Sequence, residues 1–170
     1  MILHLVRHPK PLVDPGICYG RLDLEAENAE AVAAQLSNEL APGLPVWSSP
    51  LRRCRSLAEL LHPRPILDER LIEMNFGLWE GRPWEAIPRH ELDAWAADVA
   101  GYAPPGGESP CELQRRALDF VAGLDVPEAV VVTHAGVIRV LVAHWRGLPP
   151  AEWPQQVFRY GSLTTVEVGR

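Results

Sequence analysis

The chain of 170 residues carries 16 Lys and Arg against 22 Asp and Glu, a net charge of −6, with 47% hydrophobic and 22% charged residues. That length predicts a single domain over residues 1–170 with room for a sizeable core, and the ordinary composition speaks against disorder. The acidic balance speaks against nucleic acid or an anionic membrane surface as a partner, so any bound anion must be held by local groups. No apolar run approaches the roughly 20 residues needed to cross a bilayer, and Met1 leads straight into Ile2–Val6 without a signal-peptide pattern. The expected location is therefore cytoplasmic. Cys18, Cys54 and Cys111 are odd in number and far apart, which predicts reduced thiols rather than a disulfide framework or a structural zinc site.

Taken in order, Ile2 to Val6 reads as a strand, and Ala29, Val32, Ala33, Leu36 and Leu40 keep the three-to-four spacing of a helix. Pro45 to Ser48 predicts a second strand. Arg70 to Gly107 is rich in Trp, Gly and Pro without a clean period, and reads as loops over one edge of a sheet. Ser109-Pro110-Cys111-Glu112 predicts a helix start, with Ser109 as cap, Pro110 in the first turn and Glu112 closing a capping box. Ala129 to Thr133 is an apolar run suited to a strand buried on both faces. A helix carrying Val137, Ile138, Leu141, Val142 and Trp145 follows, and Leu163 to Val168 is the last strand. Strands alternating with helices of this length predict an α/β fold, a mostly parallel sheet covered on both faces.

In open α/β sheets, ligands bind beyond the carboxyl ends of the strands. Here the first strand runs into Arg7-His8, the second into Ser49-Pro50-Leu51-Arg52-Arg53, and the buried strand into Thr133-His134-Ala135-Gly136. The last segment opens a helix, whose free amides and dipole favour an anion. Arginine forks match the planar edges of phosphate or carboxylate. A zinc site of His8, His134 and Glu73 is disfavoured, because Arg7 and Arg53 would repel a dication. What the set suits is phosphoryl transfer to a neutral histidine, since nearby guanidinium charge lowers an imidazole's pKa. Glu73 is the candidate acid for the leaving alcohol, placed among Leu71, Ile72, Met74 and Phe76, apolar neighbours that favour its protonated form.

At these residues the chain resembles the histidine phosphatase, or phosphoglycerate mutase-like, superfamily over nearly its whole length. Leu5-Val6-Arg7-His8 resembles the family's opening R-H-G motif, which implies that His8 is the nucleophile and Arg7 a phosphate clamp. Ser49 to Arg53 is similar to the family's S-x-L-x-R, implying that Arg53 binds phosphate. Leu71-Ile72-Glu73 with Gly77-Leu78-Trp79-Glu80-Gly81 matches the stretch that carries the proton donor, here Glu73. Pro105 to Ser109 resembles a further signature before a helix. Thr133 to Gly136 looks like the family's second histidine, implying that His134, with Ala135, holds the transferring phosphoryl group. The implied architecture is a three-layer α/β/α sandwich. The chain departs from the pattern at Pro9 and Pro11, where a glycine and a threonine are usual, at Asp14 in place of an asparagine, and at Leu57 in place of a threonine; Pro9 removes one backbone donor.

Cys18-Tyr19-Gly20-Arg21-Leu22-Asp23 and the short length look most like α-ribazole phosphatases. The resemblance implies a metal-independent phosphomonoesterase without a cofactor, acting as monomer or homodimer on a small phosphorylated substrate, α-ribazole 5′-phosphate in cobalamin assembly. Tyr19 and Arg21 would contact the nucleoside. Trp79 or Trp84 would stack on its ring, or pack under the loops. A broad sugar-phosphate phosphatase, a phosphohistidine-protein phosphatase or a phosphate-ligand binding protein that has lost catalysis fits the same residues.

Overall fold

The computed structural model describes residues 1–169. Its centre is a five-stranded sheet of β1 (Ile2–Arg7), β2 (Val46–Ser48), β3 (Ile66–Leu67), β4 (Glu128–Thr133) and β5 (Leu163–Glu167), ordered β3-β2-β4-β1-β5. The first four run parallel, and β5 lies antiparallel against β1. Between them run α1 (Ala29–Leu36), α2 (Arg52–Leu61), α3 (Arg89–Ala97), α4 (Pro110–Ala122) and α5 (Ala135–Arg146).

The apolar run in β4 fixes the layers, because successive strand residues point to opposite faces. Ala129 and Val131 join Leu3 and Leu5 of β1 under α4 and α5, meeting Leu113, Phe120, Ile138 and Leu141. Val130 and Val132 join Val6 and Val46 under α1 and α2, meeting Leu36, Cys54 and Leu57. Each fully buried aliphatic side chain contributes roughly 1.5–3 kcal/mol, so both faces of β4 are held by tertiary packing. The result is an α/β/α sandwich.

The order of strands also decides where a site can form. The chain leaves β1 toward α1 on one face, whereas it leaves the adjacent β4 toward α5 on the other. Their connections part there and open a crevice at the carboxyl ends. Ladder bonds continue past the strands and fix its floor: the His8 amide donates to Thr133 O at 3.0 Å and the Ser49 amide to Val132 O at 3.0 Å.

Three expectations are corrected. Residues 89–97, expected as loop, form α3, whose Leu92 and Trp95 pack beside Cys18, Trp79 and Ile87 in a small satellite cluster. Two apolar residues on one face are too few to register as a period. β3 is an edge strand of two exposed residues and carries no alternation. The first helix closes at Leu36 rather than Leu40, where tighter turns from Asn38 and Glu39 to Gln35 and Leu36 take over.

The start of α4 is as expected: Ser109 Oγ accepts from the Glu112 amide at 3.2 Å, and Glu112 Oε2 accepts from the Ser109 amide at 2.7 Å. Ser109→Ala is expected to destabilise the protein by about 1 kcal/mol, seen as a lower urea midpoint at unchanged slope.

Candidate active site

Beyond the carboxyl ends of β1 and β4 lies a cavity of about 360 Å³ whose wall includes Arg7, His8, Tyr19, Glu73, Ala135 and Gly136. Arg53 and His134 stand behind it, each 0% exposed. All five residues expected to act on phosphate therefore converge, from β1, α2, the segment before α3 and the start of α5.

His8 is 1% exposed. Its Nδ1 lies 2.6 Å from the carbonyl of Pro9, which can only accept, so Nδ1 carries the proton and Nε2 is the basic nitrogen. Burial first, then the charge of Arg53, lower the His8 pKa to about 3, with the Pro9 bond opposing and Arg7 adding. His134 packs edge-on against it, ring centroids 5.1 Å apart, with Nε2 2.8 Å from Ser49 Oγ. Burial, Arg53 and His8 hold the His134 pKa well below that of a free imidazole. Both rings are neutral at ordinary pH.

The arginines are held by backbone carbonyls instead of carboxylates. Arg53 donates through Nη1 to Leu22 O at 2.7 Å and through Nη2 to Gly20 O at 2.5 Å. Those carbonyls sit on a loop that Glu80 clamps, accepting from the amides of Gly20, Arg21 and Leu22 at 2.9–3.3 Å. Arg7 donates to Phe158 O at 2.6 Å and lies 3.8 Å from the centre of the Tyr160 ring. The Nε atoms of both arginines are buried without a partner among the described residues. A fork with donors to spare beside neutral imidazoles and a helix start favours a tetrahedral anion.

Glu73 stands at the helix start, and its surroundings differ from the apolar pocket expected. Oε1 accepts from its neighbour's amide, Met74, at 2.9 Å, and Oε2 from the Gly136 amide at 3.0 Å. A Cβ at position 136 would lie 2.2 Å from Glu73 Oε1, so only glycine lets the carboxylate reach α5. Arg116 fixes the segment from behind: it donates to Arg70 O at 2.7 Å and Glu73 O at 3.1 Å while pairing with Glu108 at 2.6 Å. Burial pushes Glu108 up, but the bond and charge of Arg116, the Asn75 amide and the charge of Arg21 together outweigh it and hold this carboxyl below the usual range.

Of the substrate contacts expected, Tyr19 lines the cavity and its hydroxyl lies 3.0 Å from that of Tyr160. Arg21 is not among the lining residues and its guanidinium is 3.5 Å from Glu108. Trp84 lines the cavity together with Trp95, whereas Trp79 is fully buried, stacked on Tyr102 and donating to Glu91 at 2.5 Å. Asp14 is exposed, and Leu57 is an apolar core residue. Sequence reasoning missed Ser49, Glu80, Arg139 and Tyr160. Ser49 and Glu80 stood inside segments already singled out; Tyr160 is brought over His8 only by the antiparallel return of β5, which no local pattern announces.

Comparison with known proteins identifies the family. A model of the histidine phosphatase superfamily (branch 1) matches residues 3–170, and the chain belongs to that superfamily. It is 37% identical over 152 residues to a glucosyl-3-phosphoglycerate phosphatase of Mycolicibacterium vanbaalenii, covering 78% of this chain and 65% of that protein, just under two thirds of its length. It is 32% identical over 123 residues to an adenosylcobalamin/α-ribazole phosphatase of Salmonella typhimurium, covering 65% of this chain and 60% of that one. Its fold matches the crystal structure of a phosphoglycerate mutase from Thermus thermophilus with a TM-score of 0.82 at 37% identity, over 100% of this chain and 95% of the other.

Two outcomes follow from the geometry. An unfolded histidine titrates near 6.5, so below that pH the unfolded chain binds protons that folded His8 refuses until about 3. Stability is thus expected to fall with acidification by up to about 1.4 kcal/mol per pH unit for each buried ring, a slope that His8→Asn with His134→Gln flattens in denaturant titrations at pH 5 and 7. Gly136→Ala is expected to fold, since the clash is with the tip of a flexible side chain, yet to displace Glu73 and lower kcat by about 10²-fold in steady-state assays.

Proposed function

We propose that this member of the histidine phosphatase superfamily is a phosphoric monoester hydrolase that works through a phosphohistidine. The observation that carries the reading is the Nδ1–H of His8 tied to Pro9 O, which leaves Nε2 as nucleophile on a ring that lines the cavity. In the first step Nε2 attacks phosphorus, the P–O bond to the leaving alcohol breaks, and Glu73 supplies the alcohol's proton. In the second, the Glu73 carboxylate takes a proton from water, whose oxygen attacks phosphorus and breaks the P–N bond. Inorganic phosphate leaves and His8 is neutral again. Arg7, Arg53, His134 and the Ala135 amide stabilise the equatorial oxygens as charge spreads over them. The phosphatase names of the relatives support the same class of reaction.

The substrate is a small phosphorylated metabolite met in the cytoplasm. α-Ribazole 5′-phosphate is supported by the Salmonella relative and by an aromatic wall of Phe76, Trp84, Trp95 and Trp153 that suits a planar ring. A phosphorylated small acid is the second reading, supported by Arg139 in the same wall and by the mycobacterial relative.

The test is phosphate release in EDTA from α-ribazole 5′-phosphate, 3-phosphoglycerate, sugar phosphates and phosphohistidine. Wild type is expected to hydrolyse at least one of them, with an acid-labile phosphoenzyme trapped on quenching. His8→Ala is expected to lose turnover by about 10⁴-fold or more. Ordinary activity in that variant would overturn the phosphohistidine route, and binding of vanadate without release from any ester would make the chain a binding protein.

A further inference from the structure

The mechanism leaves Tyr160 without a role, yet this tyrosine, 42% exposed, stands between solvent and the phosphate end of the site. The Arg7 guanidinium carbon lies over its ring, 3.8 Å from the centre, and the ring is 5.7 Å from that of His8 at an interplanar angle of 43°. The same short lead-in to β5 holds Arg7 in two further ways. Phe158 O accepts from Arg7 Nη1 at 2.6 Å, and the Gly161 amide donates to Arg7 O and His8 O at 3.1 and 3.2 Å. Gly161 has a φ of +70°, in the left-handed region that favours glycine, so the chain can turn here and lay residue 160 on the end of β1.

How a guanidinium is held decides what it can still bind. Arg116, Arg70 and Arg52 are paired with the carboxylates of Glu108, Asp68 and Glu25, which take N–H groups that a phosphate would need. Arg7 has no carboxylate partner among the described residues. An aromatic face attracts the whole cation through its quadrupole and does not compete for the fork's donors. The Tyr160 ring is itself fixed, because its hydroxyl lies 3.0 Å from that of Tyr19. Tyr19 lines the cavity next to the amides that Glu80 clamps, and its ring centre is 5.4 Å from the Arg53 guanidinium. Burial first, then the bond to Tyr160, raise the Tyr19 pKa, so its hydroxyl keeps its proton at ordinary pH.

We infer that Tyr160 is a positioning residue of the reaction: its ring face orients the Arg7 fork toward the phosphoryl group, and the Tyr19 hydroxyl holds that face in place. The two tyrosines, 141 residues apart in the chain, thereby link the supports of Arg7 and Arg53, so the spacing of the two guanidinium groups is set before an anion arrives. An arginine oriented in advance lowers the barrier by the same amount whatever alcohol leaves, because its contact is with the phosphoryl oxygens. A tyrosine that touched the rest of the substrate would favour particular alcohols instead. The inference rests on the hydrolase reading above and adds to it a residue that acts on rate rather than on the choice of substrate.

The test measures kcat and KM for p-nitrophenyl phosphate and glycerol 3-phosphate, esters of unlike alcohols. Tyr160→Leu is expected to lower kcat/KM by about tenfold to thirtyfold on both, mostly through kcat, and Tyr160→Phe, which keeps the ring, by about threefold. In an Arg7→Gln background Tyr160→Leu is expected to add no more than about a twofold loss, because the interaction it removes is already gone. Tyr19→Phe is expected to match Tyr160→Phe, and the two together to lose no more than either, since both remove one bond. A Tyr160→Leu loss that persists undiminished beside Arg7→Gln would make the residue structural only and overturn the inference. So would a loss confined to one ester, which would make Tyr160 a substrate contact, or full activity in Tyr160→Leu. Should that variant fail to fold, as read from its urea midpoint, the two phenylalanine variants decide: shared losses uphold the link, and additive losses or none overturn it. If wild type hydrolyses neither these esters nor the panel above, the hydrolase reading fails and calorimetry with inorganic phosphate decides. Binding about tenfold weaker in Tyr160→Leu, with no such difference beside Arg7→Gln, upholds the positioning role; equal binding, or none by wild type, ends it.

Discussion

A guanidinium buried without a carboxylate is the constraint around which this molecule is arranged. Arg53 is wholly enclosed, and among the described residues its hydrogen-bond partners are the carbonyls of Gly20 and Leu22. A lone buried cation is costly unless dipoles replace the water it has lost. The loop carrying those carbonyls must therefore be rigid, and the imidazoles beside Arg53 must stay uncharged. Both conditions are met, and each has a chemical use. A rigid loop fixes the fork, and an uncharged His8 keeps its lone pair. What weakens the fold toward low pH is the same electrostatics that keeps a bare nitrogen on the ring facing the cavity.

The topology explains why these groups meet at all. Arg7 and His8 end one strand, Ser49 another and His134 a third, and the order β2-β4-β1 sets the three ends side by side. The antiparallel β5 adds what a purely parallel sheet would lack. Its lead-in bonds the Gly161 amide to the carbonyls of Arg7 and His8 at 3.1 and 3.2 Å, and lays Tyr160 over both side chains. The Arg7-His8 segment is thus gripped from both sides before any ligand is considered.

The parts legible in the sequence were those whose signal is local. Three apolar valines in β4, the Ser109 capping box and histidine or arginine directly after strands each state their structure within a few residues. Apolar neighbours made Glu73 a candidate acid, and the resemblance pointed to the same residue. Contacts across the chain were illegible for a physical reason: Tyr19 and Tyr160 are 141 residues apart and meet through the sheet order. Arg21 looked like a ligand contact because its loop is close to the site, yet the loop's peptide groups do the work while the side chain turns to Glu108.

Glu80 illustrates how far a site's demands reach into residues that never touch a ligand. It does not line the cavity, yet its two oxygens collect four amides, those of Gly20, Arg21, Leu22 and Phe76. A carboxylate is the side chain with acceptors on both oxygens and no donor. Glutamine would turn an N–H₂ toward amide donors, and aspartate is one carbon short. In a mutational scan scored by activity, position 80 would rank with the histidines in its intolerance of substitution, although its contribution is only to hold still the peptide groups that hold an arginine.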